Sequence, residues 1–332
     1  MENISDTICR ITGADSLVLG EKIQSLWSGY GVIRRAQLHF NGAGKGRARS
    51  KVVVKHIDIS SARTNPRGWL SETSHQRKVR SYQVEKKFYE CFSQDCDEKC
   101  QVPELVAAHQ LENASGWLII LQDLDSLGFG IRKSNVNQWD IFTCLKWLAN
   151  FHATFLGRSA HGLWPVGTYW HLGTRPDEFS AMPSGTLKQY AKAIDQRLNS
   201  ATFQTLIHGD AKIANFCFSE KIPDQVAAVD FQYVGRGCGM KDVAYLISSC
   251  LSDREASERQ DELLDFYFQQ LDFALVTRAV KLDFSKIERE WRGLYPFAWA
   301  DFCRFLSGWS PGHWKLNQYS DQITAAALDQ IK

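Results

Sequence analysis

No part of this sequence stays apolar for long. Its longest purely apolar runs, such as Trp117–Leu121, fall far short of the roughly 18 residues a bilayer span requires, so no membrane partner is expected. The first twenty residues lack the apolar block of a secretory leader, because Glu2, Asp6, Arg10 and Asp15 interrupt them. Export is therefore not expected, and a cytoplasmic protein is. A surplus of one charge is also missing: 39 Lys and Arg stand against 37 Asp and Glu, a formal net charge of +2. Nucleic-acid binding needs basic residues gathered on one face, so nucleic acid is not an expected partner either. C-x-x-C pairs are absent as well. Of the nine cysteines, most stand singly in apolar segments, as Cys144, Cys250 and Cys303 do, where a thiol behaves as a small hydrophobe. Only Cys91, Cys96 and Cys100 cluster, and without a flanking His they match no zinc knuckle. Internal repeats and low-complexity tracts are lacking, and no interface between copies leaves a readable signature.

What remains is ordinary globular composition. The 332 residues are 44% hydrophobic and 23% charged, enough apolar side chain for a sizeable core and a length suited to about two domains. Strand-like stretches at Leu26–Val32, Ala36–Phe40 and Val52–Ile57 are separated by turn-rich segments holding Gly29, Gly31 and Asn41–Gly46, which predicts an antiparallel meander. After a polar segment with Pro66 and Gly68, the spacing of Val79, Tyr82, Phe88 and Tyr89 predicts one long helix over Ser74–Phe92. Trp117–Leu121 reads as a buried strand, and the polar turn Gln122-Asp123-Leu124-Asp125 after it divides a first domain, 1–124, from a second, 125–332.

The second domain starts helical. Ile141, Leu145, Leu148, His152 and Phe155 share one stripe, with Asn137 as N-cap and Gly157 as stop, and His152 on that stripe reads as a core histidine. Short strands at Thr205–His208 and Val226–Val229 flank Phe216–Phe218, and the remainder reads mostly as amphipathic helices.

The chemistry concentrates in His208-Gly209-Asp210-Ala211-Lys212-Ile213-Ala214-Asn215, followed by Asp230-Phe231-Gln232. Phosphoryl transfer asks for such a set: one carboxylate to receive or orient an acceptor hydroxyl, and an Asn with a second carboxylate for Mg2+. Asp210 and Asn215 can face one cavity from a tight loop, and a hairpin over 216–229 can return Asp230 beside Asn215.

These residues resemble the kinase-like phosphotransferases, specifically the aminoglycoside phosphotransferase and choline kinase group with its ecdysteroid kinase-like branch. The resemblance implies an α+β, two-lobed protein-kinase-like fold, with an N-terminal antiparallel sheet lobe and a larger, mostly helical C-terminal lobe. It implies an ATP- and Mg2+-dependent kinase acting on a hydroxyl of a small molecule. Carried onto this chain, Asp210 is the catalytic base, Asn215 and Asp230 are the metal ligands, and His208 braces the loop. Lys212, two residues after Asp210, is placed to contact the transferring phosphate. Val52-Val53-Val54-Lys55 resembles the V-A-I-K strand of that fold, making Lys55 the cation on the α- and β-phosphates. Its expected partner is Glu85, with Glu90 as the alternative. Gly29 and Gly31 stand where a phosphate loop would be, although Arg34 replaces the third glycine of G-x-G-x-x-G. Backbone groups of the Leu121–Leu124 connector, at Gln122 and Leu124, would hold adenine.

Three residue sets keep two readings each. Asp242 is either a helix N-cap or the buried Asp that braces the catalytic loop in the family. Trp291, Trp299, Trp309 and Trp314 either line an acceptor pocket or pack helices, and Asp301 either meets a cationic substrate or lies within that packing. The competing functional reading is a catalytically silent, nucleotide-binding regulatory protein. The acceptor itself is not legible, since one fold serves many acceptors.

Overall fold

The computed structural model describes residues 3–41, 50–60, 72–112 and 115–331. Two compact units emerge, Met1–Asp95 with Val102–Gly130, and Cys96–Gln101 with Ile131–Lys332.

The first unit opens with α1 (Ile4–Thr12), capped by the Asn3 side chain and closed by Gly13. There follow β1 (Ser16–Ser25), β2 (Gly31–His39), β3 (Lys51–Asp58), α2 (Glu72–Cys91), β4 (Leu105–Gln110) and β5 (Gly116–Gln122), and the strands form one antiparallel sheet ordered β1-β2-β3-β5-β4. Successive strand residues face opposite sides. Val52 and Val54 of β3 therefore enter a core with Ile8, Leu38, Leu118 and Ile120, while Lys55 and Ile57 point the other way.

The meander is present but shifted. Leu26–Val32, expected as its first strand, is mostly the turn between β1 and β2: a 3-10 turn spans Trp27–Gly29, and Leu26 N–H donates to the Gly31 carbonyl at 2.9 Å. Gly29 (φ 76°) and Gly31 (φ 136°) take left-handed backbone there, which disfavours other residues. The true first strand carries no sequence signal, because nearly every position from Ser16 to Ser25 is exposed and no apolar alternation marks it. Asn41 is described, but the rest of the expected Asn41–Gly46 turn and the segment around Pro66 and Gly68 lie outside the described residues.

In the second unit, α3 (Gln138–Thr154) begins with a reciprocal Asn137–Asp140 capping box. Beyond it come α4 (Pro176–Ala181), α5 (Thr186–Gln189), α6 (Ala191–Asn199), β6 (Thr205–Ile207), β7 (Phe216–Phe218), β8 (Val226–Ala228) and β9 (Gly235–Gly237). Four more helices follow: α7 (Met240–Cys250), α8 (Asp253–Thr277), α9 (Phe284–Trp309) and α10 (Gln318–Asp329). The break expected after Leu124 falls at Gly130 in the structure, and 96–101 joins the second unit. The reason is specific bonding: Trp147 Nε1 and Ala228 N both donate to the Gln101 carbonyl at 3.0 Å, and Arg278 grips both Asp97 oxygens. No helix among the described residues is long and apolar enough to cross a membrane.

Candidate active site

Strand β6 delivers the chain into His208-Gly209-Asp210. Gly209 has φ 79°, and a Cβ there would lie 2.1 Å from the Tyr233 carbonyl oxygen, so only glycine fits this turn. Asp242 holds it in place. Its Oδ2 accepts the His208 N–H at 2.6 Å and its Oδ1 the Gly209 N–H at 2.9 Å, and the N-cap of α7 is Gly239. Of the two readings of Asp242, the brace is the one the structure gives. His152 is buried and lies against the same carboxylate, Nε2 to Asp242 Oδ2 at 3.1 Å, with Nδ1 at 2.8 Å from the Tyr267 hydroxyl.

His208 is itself a brace. Its Nδ1 accepts the Asp210 N–H at 3.2 Å while its Nε2 donates to the Val229 carbonyl at 3.0 Å, which fixes the neutral tautomer with the proton on Nε2. Beneath it, the rings of Trp147, Phe151, Phe216 and Phe231 pack as one aromatic floor.

The Asp210 carboxylate is half satisfied. Oδ2 accepts from Lys212 Nζ at 3.0 Å and Asn215 Nδ2 at 3.1 Å. Oδ1 is buried with no formed hydrogen bond among the described residues, the Tyr245 hydroxyl lying near the same carboxylate, and a buried polar atom so placed calls for an explanation. Strands β7 and β8 pair Phe216 with Ala228, and Val229 N–H donates to the Asn215 carbonyl at 3.0 Å. That hairpin returns Asp230 beside the loop, as the spacing predicted. Asp230 sits at φ 71°, a strained region for a non-glycine residue and one that clusters at functional sites. Burial pushes the Lys212 ammonium down, but the Asp210 and Asp230 carboxylates outweigh it and hold Lys212 above its ordinary value. Both acids thus bear on one ammonium.

The donor set suits a hard divalent cation. Asn215 gives its amide nitrogen to Asp210, leaving Oδ1 without a hydrogen bond among the described residues, and with the Asp230 carboxylate it offers the oxygen ligands Mg2+ prefers.

A second strained residue supports the loop from outside. Thr168 has φ 102° and a buried hydroxyl without a partner among the described residues. Its N–H donates to the Tyr233 carbonyl, and the next N–H, of Tyr169, donates to the Gly209 carbonyl, both at 3.2 Å. The sequence carried no signal of this, since β-branched residues avoid such backbone.

In the first unit, Lys55 Nζ lies 2.6 Å from Glu85 Oε2, both side chains buried. Glu90, the alternative, instead pairs with Lys86 one helical turn away. Breaking a buried pair strands a charge, whereas replacing both members does not. Glu85→Ala should therefore cost about 3–5 kcal/mol in urea unfolding, and Lys55→Met with Glu85→Met should recover most of it. Equal losses in the single and double variants would show that the pair is not coupled.

The remaining nucleotide-side candidates are held by the fold itself. A Cβ on Gly31 would lie 2.0 Å from the His56 carbonyl oxygen, so sheet packing alone accounts for that glycine. Tyr30, between the two glycines, bonds His75 of α2 at 2.6 Å. Gln122 N–H donates to the Glu104 carbonyl at 2.9 Å, and Leu124 is buried at the head of a 3-10 turn. Arg35 was not singled out from sequence, yet it bridges Asp123, Asp125 and Glu21. The acidic pair just after β5 was the available signal.

The two-way readings near the C-terminus resolve toward packing for Asp301, Trp291, Trp299 and Trp309. Asp301 is fully buried, accepting from Trp170 Nε1 at 3.1 Å and Arg304 Nε at 3.0 Å, with Lys241 Nζ at 3.6 Å. The chain's own cations occupy it, so it is not the partner of a cationic substrate. Trp291 and Trp299 are core residues, bonded to Phe203 and Ser320, and Trp309 stacks on Phe305. Trp314 is 58% exposed.

The sequence resemblance is borne out by comparison with known proteins. The model of the ecdysteroid kinase-like family matches residues 170–278, which contain Asp210, Asn215, Asp230 and Asp242. A candidate aminoglycoside phosphotransferase from Ralstonia eutropha shares the fold at a TM-score of 0.50 and 12% identity, over 98% of this chain and 94% of that one. Amicoumacin kinase, solved in complex with AMP-PNP, Ca2+ and Ami, matches at a TM-score of 0.50 and 10% identity, over 94% of this chain and 87% of its own. A search of curated proteins finds no match. The fold is that of the kinase-like phosphotransferases, an antiparallel-sheet unit followed by a mostly helical one.

Proposed function

We propose that this protein is a small-molecule kinase that moves the γ-phosphate of ATP to an acceptor hydroxyl in the presence of Mg2+. The observation that carries the reading is the unpartnered, buried Oδ1 of Asp210 beside Lys212, Asn215 and Asp230. As the acceptor oxygen bonds to the γ-phosphorus, its proton passes to Asp210 Oδ1. The bond from phosphorus to the bridging oxygen breaks, and its electron pair leaves with ADP. Lys212 and the Asn215 amide hold Oδ2, so the opposite oxygen is the one offered to the hydroxyl. Asn215 Oδ1 and the Asp230 carboxylate would hold Mg2+, which supplies charge neutralisation along the triphosphate. Lys55, fixed by Glu85, would meet the α- and β-phosphates, with Gly29 and Gly31 on the phosphate side and, because the Gln122 N–H is taken by Glu104, the remaining backbone groups of Gln122 and Leu124 on the adenine. A nucleotide and a divalent ion as ligands are supported by the structurally similar amicoumacin kinase, which was solved with AMP-PNP and Ca2+.

Little covalent chemistry is asked of the protein beyond positioning and charge. The test is ADP release from MgATP across a panel of hydroxylated small molecules. Turnover should appear with at least one acceptor and vanish when EDTA removes the metal. No release with any acceptor, together with no thermal stabilisation by MgATP, would sink the reading.

A further inference from the structure

Lys315 lies between α9 and α10 with its backbone pinned at both ends: its N–H donates to His313 Nδ1 and its carbonyl accepts from Ser320 Oγ. The ammonium stands over three aromatic faces, 4.8 Å from the ring centre of Tyr245, 5.3 Å from Phe302 and 5.5 Å from Trp314. Its one polar contact among the described residues is a long one, 3.4 Å to Ser248 Oγ, and it pairs with no carboxylate there. Asp210 is close enough that its charge acts on Lys315 and on Tyr245. A cation walled by rings with no carboxylate in ion-pair contact is incompletely solvated, and the Asp210 carboxylate, which would receive the acceptor proton, acts on it from longer range. Trp314 also forms part of the wall of a cavity of about 420 Å3, lined by the neutral polar groups of Asn135, Ser249 and Asn317 and by a single charged residue, Asp253.

We propose that Lys315 binds a carboxylate on the phosphate acceptor, with the exposed Trp314 ring against its carbon skeleton, so that the site selects hydroxy acids over hydroxy amines. The inference rests on Asp210 being the phosphoryl-transfer site, and it deepens that reading by naming the acceptor's charge. Burial lowers the Lys315 pKa to about 8, an effect Lys212 reinforces and Cys250 and Asp210 oppose. Asp253 borders the narrow cleft next to Lys315 and adds a fixed negative charge. Lys315 is thus cationic at neutral pH and loses its charge as the pH rises through about 8, so the preference for an acid should be present near pH 7 and lost by about pH 9.5.

The probes are three para-substituted benzyl alcohols that differ only in charge: 4-(hydroxymethyl)benzoate, 4-(hydroxymethyl)benzamide and 4-(hydroxymethyl)benzylamine. Dissociation constants come from ligand-observed NMR titration of the full chain. The benzoate should bind about tenfold more tightly than the amine. Lys315→Met should erase that ranking, Lys315→Arg should keep it, and Lys315→Glu should reverse it. Equal or absent binding of the three probes overturns the proposal, as does a ranking that survives in Lys315→Met. A Lys315→Met variant that loses MgATP affinity with its ranking intact would place Lys315 on the nucleotide's phosphates instead, and also overturns it. Because the readout is binding, the ranking should persist in Asp210→Asn. A chain that ranks the probes as expected but never releases ADP would therefore count against the kinase reading and not against Lys315.

Discussion

An Asp210→Asn variant should bind MgATP within about threefold of the parent protein while phosphoryl transfer falls by about a thousandfold, the range expected when a general base is removed. The separation follows from where the carboxylate stands. Its Oδ2 is engaged by Lys212 and Asn215, and Oδ1 alone is unsatisfied, so what the group gives the reaction is a proton acceptor at one oxygen. An amide preserves the shape and still accepts from Lys212, which keeps the fold, but it cannot take up a proton in the transition state. Stopped-flow or coupled ADP release with the acceptor found for the parent protein, alongside calorimetric titration of the nucleotide, reads the two quantities independently. Near-parent turnover would remove Asp210 from the chemistry. A parallel loss of nucleotide affinity would assign it to ground-state binding.

Much of this site was legible because it is local in the chain. Asp210, Lys212 and Asn215 lie on one short loop, and the turn-flanked stretch between Asn215 and Asp230 is short enough that a hairpin was the economical way to bring the two back together. Lys55 and Glu85 were legible for a different reason: Val52-Val53-Val54-Lys55 resembles the V-A-I-K strand, and Glu85 stands before a Phe-Tyr pair as in the family, and the two side chains meet in the structure. What stayed hidden depends on contacts between distant segments. Asp301 shares a stripe with Phe297 and Phe305, which places it on the inner face of α9 but does not reveal that Lys241 and Trp170 wait there. Tryptophan number was a poor guide, since Trp291 and Trp299 spend their indole N–H groups on packing partners. Lys315 carries no motif at all. Its significance comes from Tyr245 and Phe302, brought from two other helices. In the first unit, β1 was missed for want of an apolar alternation, while Leu26 and Val32 suggested a strand where the two glycines make a turn.

Asp242→Ala should destabilise the second unit strongly, lowering stability by about 3–5 kcal/mol. The carboxylate is fully buried and accepts from two successive backbone N–H groups, His208 and Gly209, with His152 lying against the same oxygen. Alanine leaves both N–H groups without partners in a place where water does not reach, and a cavity where the carboxylate was. Asparagine is no remedy, because one of its two terminal atoms would present N–H to N–H. Had the residue been only a helix cap, the loss would be about 1 kcal/mol, so the size of the effect in urea unfolding distinguishes brace from cap. The functional consequence is larger than the stability figure suggests. His208 positions the Asp210 N–H on one side and the Val229 carbonyl, next to Asp230, on the other. Releasing its backbone therefore disturbs the base and the metal ligand together. In Asp242→Ala, turnover should fall even at temperatures well below its lowered melting point, and stabilisation by MgATP should weaken with it. A variant that loses stability yet keeps parent turnover when cold would show that the loop holds its geometry without the brace.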